Sequence, residues 1–140
     1  MIAGITFGSF DLLHPGHIFM LNEARSMCDY LIVGLHTDPT IDRPKSKNKP
    51  VQTSFERFIQ LDALRCVDSI IPYDTERDLE NILLTTNVQK RFVGSDYSNN
   101  KNQITGIGTC LSRNIEIIFL DRNHDYSTTE LRNRCIKQSF

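Results

Sequence analysis

Two short apolar runs with a helical segment between them constrain this chain more than any other feature. Residues 1–7 read as a short strand, and residues 30–35, YLIVGL, form a continuous apolar run too short for a helix. Such a run is typical of a strand covered on both faces. Between them, residues 18–27 carry Ile18, Leu21 and Ala24 at helical spacing, with Phe19 and Met20 beside them. Strand, helix and strand in so short a span form a βαβ unit, which implies parallel pairing and a right-handed crossover. The alternation continues with a helix over 55–66, a strand over 69–72, a helix over 79–86 and a strand over 91–93. A short helix near 108–113, a strand over 115–120 and a last helix over 128–137 complete it. At 140 residues the chain holds one domain, residues 1–140, without room for a second. The expected architecture is an α/β fold, a single-domain doubly wound, Rossmann-like parallel sheet of five strands. Such sheets bind ligands at the carboxyl ends of the strands, near the point where strand order reverses.

The first strand runs into ITFGSFDLLHPGH, residues 5–17, where the sequence is richest in chemistry. Gly8-Ser9-Phe10-Asp11 reads as a tight turn. Pro15 suits the first helical position, where its fixed φ fits and an N–H is not needed. His14 precedes that helix and His17 lies in its first turn, so both imidazoles face one site. The unpaired N–H groups and positive dipole end of the helix point there too, a combination that suits a phosphate chain. Two rival readings are open. Metal ligation needs a third and a fourth ligand, and Cys28, Cys66, Cys110 and Cys135 are scattered without C-x-x-C spacing. A plain pair of surface histidines leaves the turn unexplained. No protein-held metal is expected. The formal net charge of −1, from nearly balanced acids and bases, argues against nucleic-acid or membrane-surface partners. With no cleavable signal or long apolar span before the first strand, and cysteines read as small core residues, the expected setting is a reducing cytoplasm.

Other polar segments gather at the same edge. Residues 42–50, DRPKSKNKP, form a loop in which Lys45, Lys47 and Lys49 alternate. Alone, such a run is a solvated, mobile loop; beside a phosphate site it is a set of point charges that closes over a triphosphate. His36, Thr37 and Asp38 follow the second strand at the ligand-binding edge. Arg57 and Arg65, eight positions apart in SFERFIQLDALRCVD, fall roughly on one helical face; the alternative is pairing with Glu56, Asp62 or Asp68. Ser127-Thr128-Thr129-Glu130 fits a capping box, and the same helix start and hydroxyls suit phosphates. Gly94-Ser95-Asp96-Tyr97 reads as a turn after the fourth strand. His124 has no partner legible in the sequence and reads as a solvated loop residue.

GSFDLLHPGH resembles the G-x-F-D-x-x-H-x-G-H signature of the cytidylyltransferase branch of the HxGH nucleotidyltransferases. The whole chain is most similar to the small glycerol-3-phosphate cytidylyltransferases. RNHDYSTT, residues 122–129, resembles that family's R-T-x-G-I-S-T-T, with Asn123 in place of Thr and Asp125 in place of Gly. Gly94 to Tyr97 resembles G-D-D-W, Arg57 to Asp68 resembles R-x(7)-R-Y-V-D with Cys66 for the aromatic, and Lys45 and Lys47 match a K-x-K pair. The resemblance implies that His14, His17, Lys45, Lys47 and Arg122 act in catalysis. It places Gly8, Ser9, Phe10, Asp11, Gly16, Gly94, Asp96, Ser127, Thr128 and Thr129 at the nucleotide, Asp11 orienting a histidine or reaching the metal through water. His36, Asp38, Arg57 and Arg65 then lie toward the acceptor.

The reaction implied is transfer of CMP from CTP to a small alcohol phosphate, glycerol 3-phosphate by default, giving a CDP-alcohol and pyrophosphate. Mg²⁺ is expected to be bound mainly through the triphosphate. A homodimer, paired through the segment after Arg65, is also implied. Two alternatives stand beside this: an adenylyltransferase of the same fold that uses ATP and a sugar or pantetheine phosphate, and a non-catalytic nucleotide-binding protein. Intact His14, His17 and Ser127 argue against the latter.

Overall fold

The computed structural model of the chain describes residues 1–138, apart from the side chains of Asp96 and Asn102. Five strands, β1 (Ala3–Gly8), β2 (Tyr30–His36), β3 (Ser69–Tyr73), β4 (Lys90–Gly94) and β5 (Glu116–Leu120), form one sheet. The helices are α1 (Pro15–Ser26), α2 (Ser54–Asp62), α3 (Glu76–Thr85), α4 (Ile107–Ser112) and α5 (Thr128–Gln138). Strand order is β3-β2-β1-β4-β5 and every pair is parallel. This is the doubly wound α/β sheet that the alternation of apolar runs predicts.

The two faces of the sheet explain why YLIVGL is apolar throughout. Leu31, Val33 and Leu35 of β2 pack with Leu21 and Ala24 of α1 and Leu61 of α2 on one face. Ile32 points the other way, into a cluster with Ile5, Leu79, Leu83 and Cys110 from β1, α3 and α4. Alternate residues of a strand serve opposite faces, so a strand covered twice has no polar position to spare.

One predicted boundary is wrong in a way that matters. The helix expected over 55–66 stops at Asp62 with Ala63 as its cap. The chain then turns, with Leu64 N–H bonded to the Leu61 carbonyl and Val67 N–H to that of Leu64. This turn buries Cys66 and delivers Asp68 to β2, where its N–H meets the Leu31 carbonyl and its carboxylate accepts from Leu31 N–H at 2.8 Å. Arg25 closes the corner by pairing with Asp68 at 2.9 Å. Arg65 therefore lies outside α2 and is exposed, and it shares no helical face with Arg57.

Strands β1 and β4 lie side by side, but the chain leaves β1 toward β2 and leaves β4 toward β5. The diverging connections open a crevice beyond Gly8 and Gly94, as strand-order reversal requires. After β4 come two short 3₁₀ turns, Ser95–Tyr97 and Lys101–Gln103, before α4 begins behind Gly106 at φ +80°. Among the described residues, no helix is long and apolar enough to cross a membrane.

Candidate nucleotide site

The turn from β1 into α1 holds Phe10 and Leu12 at φ +50°, a left-handed conformation that costs about 1–2 kcal/mol per non-glycine residue. Tertiary contacts hold it there. The Phe10 side chain is buried in the core, and Leu12 N–H donates to Gln52 Oε1 at 2.8 Å. Asp11, also buried, accepts from the N–H groups of Val51 at 2.8 Å and Gln52 at 2.9 Å and from Arg132 at 2.7 Å. Burial alone would raise its pKa, but these bonds together hold it below the usual carboxylate value. Both oxygens are thus committed away from the histidines. Asp11 ties the turn to the α2 approach and to α5, and neither orients His14 nor His17.

His14 caps α1. Its Nδ1 accepts from Gly16 N–H at 3.0 Å, while His14 N–H donates to His17 Nδ1 at 3.3 Å, an imidazole version of the reciprocal capping box. The rings stack with centroids 3.8 Å apart. The expectation of free N–H groups at this helix start is corrected by these bonds. Pro15 has no N–H, Gly16 serves His14 Nδ1, and His17 and Ile18 serve the His14 carbonyl. What faces the crevice is the other edge of each ring. With Nδ1 accepting from backbone in both, the proton of each neutral imidazole sits on Nε2. Burial keeps them neutral: it pushes His17 down to about 3, helped by neighbouring His14, and lowers His14, helped by His124 and Arg122.

Two cavities meet at the seam between β1 and β4 and share Met20 and Gly94. One, of about 240 Å³, is lined by His14, Gly16, His17, Arg122, Ser127 and Thr128. Ser127 Oγ accepts from Glu130 N–H at 3.0 Å, half of the expected capping box, and Arg122 donates to the Tyr126 carbonyl at 2.8 Å, shaping the loop. The Thr128 hydroxyl donates to the Asp11 carbonyl at 3.0 Å, so its proton is not available to a phosphate. Thr129 is exposed at the start of α5.

The other cavity, of about 250 Å³, reaches from Gly8 and Ser9 past His36 to Tyr73, Glu76 and Arg91, with Arg43 and Lys47 at its rim. His36 stacks on Tyr73 with centroids 4.5 Å apart. Lys45 is exposed on the same loop and lines neither cavity, so of the expected lysine pair only Lys47 stands at the site. Asp38 closes its own turn, accepting from Thr40 N–H at 2.9 Å and from the Thr40 hydroxyl, and lines neither cavity.

Arg57 is the largest departure. It is 1% exposed and donates to the carbonyls of Ser9, His36 and Thr37 at 2.6–2.8 Å, with Nε shared between Gln52 and Thr53. Its guanidinium fastens the loops after β1 and β2 to the start of α2, and with its last N–H donating to the Ser54 hydroxyl at 3.4 Å no donor is left for a substrate. The Asp96 side chain lies outside the described residues.

Three residues at the cavities escape sequence reasoning. Arg43 and His124 sit in loops whose partners are far along the chain. Arg91 carries a signal that a closer reading of β4 offers, a charge inside a strand that the alternation requires to be buried. It is 5% exposed, stacks on the Phe7 ring at 5.0 Å and bonds the Thr105 carbonyl, and its Nε has no partner. Among the described residues no group of three or more His, Cys, Asp or Glu side chains is arranged to hold a metal ion.

A family model described as cytidylyltransferase-like matches residues 5–134. The bifunctional protein HldE of Nitrobacter winogradskyi is 37% identical over 131 residues, which cover 94% of this chain and 26% of that protein. HldE of Rhodopseudomonas palustris strain BisB5 is 38% identical over 135 residues, with coverage of 92% and 26%. The chain thus spans about a quarter of the length of these curated relatives. The crystal structure of the lipopolysaccharide core biosynthesis protein from Thermoplasma volcanium superposes with a TM-score of 0.71 at 24% identity, covering 91% of this chain and 99% of that one. TmcAL of Thermotoga maritima bound with alpha-thio ATP gives 0.69 at 15% identity, covering 99% and 51%.

Proposed function

The chain belongs to the cytidylyltransferase-like family, and on that premise we propose that it is a nucleotidyltransferase, moving CMP from CTP to a small alcohol phosphate with glycerol 3-phosphate as the first acceptor to try. The observation that carries this reading is the pair His14 and His17, each with Nδ1 held by a backbone N–H and Nε2 left to face the cavity that Arg122 and Ser127 also line. Neutral donors fixed before the ligand arrives need no reorganisation when charge develops.

In this reading the nucleotide triphosphate lies in the His14–Ser127 cavity and the acceptor in the cavity from Ser9 to Arg91, so that their phosphates meet at the shared seam; Gly8 and Ser9, which the resemblance places at the nucleotide, line the acceptor side instead. An acceptor phosphate oxygen forms a bond to the α-phosphorus in line as the bond to the pyrophosphate oxygen breaks. The nucleophile is already an anion, so no proton has to be removed from it. Catalysis consists of positioning and charge stabilisation. His14 and His17 donate to the phosphate oxygens, Arg122 spreads the charge that grows on the leaving group, and Lys47, at the rim of the acceptor cavity, faces the charge on the transferring phosphoryl group. Mg²⁺, if bound through the triphosphate, would supply charge neutralisation there. A homodimer is part of the reading; Phe55 and Ile59, 70% and 50% exposed one turn apart on α2 beside the edge strand β3, support it.

A second reading, transfer of AMP from ATP to a sugar or pantetheine phosphate, is favoured by the ATP analogue that the Thermotoga neighbour binds on the same fold. Pyrophosphate release, with CTP or ATP against glycerol, polyol, sugar and pantetheine phosphates, separates the two. CTP turnover with an alcohol phosphate is the expected result. ATP turnover alone replaces the first reading with the second, and no release with any pair removes both.

A further inference from the structure

His124 enters the nucleotide cavity from the loop between β5 and α5, and the family resemblance assigns it no part. It stands at the unspecified position of R-T-x-G-I-S-T-T, yet the structure sets it beside His14 over Gly16, in the cavity that His17 also lines. A Cβ built on Gly16 would lie 2.6 Å from His124 Cε1 and 2.8 Å from His14 Cε1. Two imidazoles from opposite ends of the chain therefore rest over one glycine at the start of α1, and any larger residue there would displace them. His124 lines the same cavity as His14 and His17.

Its ring is also oriented. Tyr126 N–H donates to His124 Nδ1 at 3.1 Å, which puts the proton of the neutral ring on Nε2. Phe19 of α1 and Tyr126 flank it, with ring centroids 5.9 and 5.7 Å away. The three histidines thus share one device, a backbone N–H on Nδ1 and an Nε2–H left over, built three times from different segments of chain.

Resting on the nucleotidyltransferase reading, we propose that His124 is a third imidazole donor to the phosphate chain of the nucleotide, a catalytic residue beside His14 and His17. A triphosphate presents more acceptor oxygens than two rings can serve, and the capped start of α1 supplies no N–H of its own. The loop that carries His124 also carries Arg122, whose bond to the Tyr126 carbonyl fixes the turn that aims the ring.

The test has two arms. Long-range proton–nitrogen spectra of the histidine rings are recorded on the intact protein before and after addition of inorganic tripolyphosphate. All three rings are expected to be Nε2-protonated, and all three Nε2 signals are expected to move. A His124 signal that stays in place while those of His14 and His17 move overturns the inference and leaves the nucleotidyltransferase reading standing. Absence of movement at all three removes the phosphate reading of the cavity, and the inference with it.

In the second arm His124→Phe keeps a ring against Phe19 and Tyr126 but has no donor, whereas His124→Gln keeps an N–H donor without the ring. Loss of a charge-stabilising donor costs about 10²–10³-fold in rate at a closed site, and at this more open one a fall in kcat of about tenfold or more is expected for His124→Phe. KM for the nucleotide changes less, and His124→Gln recovers much of the loss. Wild-type turnover in His124→Phe, or a larger loss in His124→Gln than in His124→Phe, would mark a packing or base-stacking role and refute the donor.

Discussion

Replacing Arg57 with Met removes the guanidinium that fastens two loops to the start of α2 while keeping an unbranched apolar stem in its place. Three short bonds, to the carbonyls of Ser9 at 2.8 Å, His36 at 2.7 Å and Thr37 at 2.6 Å, lose their donor in an environment where Arg57 is 1% exposed. A hydrogen bond to a charged group contributes about 1.5–3 kcal/mol, and relief from burying the charge offsets part of the sum. Taking about 1 kcal/mol net for each of the three gives a destabilisation of about 3 kcal/mol. For a chain of this size that lowers Tm by roughly 10 °C. Urea unfolding followed by far-ultraviolet circular dichroism, at one protein concentration and pH 7, reads the shift in midpoint at constant slope. Arg57→Lys should fall between, since a flexible ammonium cannot reach carbonyls on two loops at once. A loss below about 1 kcal/mol in Arg57→Met would refute the clamp and return Arg57 to the substrate-binding role that the sequence suggests.

Other outcomes follow from the histidine pair and the surface. His17 has a folded pKa of about 3 against an ordinary value of 6.5, so between those values the unfolded chain binds more protons and stability falls as pH drops from 6.5 toward 3. His17→Gln should flatten that slope in urea midpoints measured across the range; an unchanged slope would show that His17 is not its source. Gly16→Ala gains up to about 1 kcal/mol of helix propensity yet drives a methyl into the His14 and His124 rings. Turnover should therefore drop about tenfold or more while Tm moves by a few degrees, and an active Gly16→Ala enzyme would contradict the seating of the rings. Sedimentation at micromolar concentration should give twice the monomer mass, and Phe55→Glu with Ile59→Lys should return the monomer; a monomeric wild type would dispose of the dimer without touching the catalytic assignment.

The βαβ start of the chain was readable because its signals are local. Pro15 fixes a helix start, YLIVGL needs cover on both faces, and His14 and His17 are three positions apart whatever the rest of the chain does. The parts that misled are those whose partners lie at long range. Nothing near Arg57 in sequence indicates that its donors reach Ser9 and His36. Asp11 reads as a partner for its neighbouring histidines because Val51, Gln52 and Arg132 lie far from it in sequence. The periodicity that suggested a helix to Cys66 belongs to a tight turn, since apolar residues at Leu64 and Val67 satisfy helix and turn alike. His124 reads as a solvated loop residue because its neighbours, Gly16 and Phe19, precede it by more than a hundred residues.

The last helix draws its position from very little. None of the residues of α5 is buried, and two of its side chains, Thr128 and Arg132, fasten it to one residue, Asp11. A segment attached in this manner detaches by a small local opening and does not wait for the sheet to unfold. The same Asp11 sits in the turn that presents His14 and His17, so the strength of that attachment varies with the state of the turn. Amide exchange along α5 is then a gauge of the crevice at a distance: slow when the turn is fixed by an occupant, faster when it relaxes, and readable without following any chemical reaction.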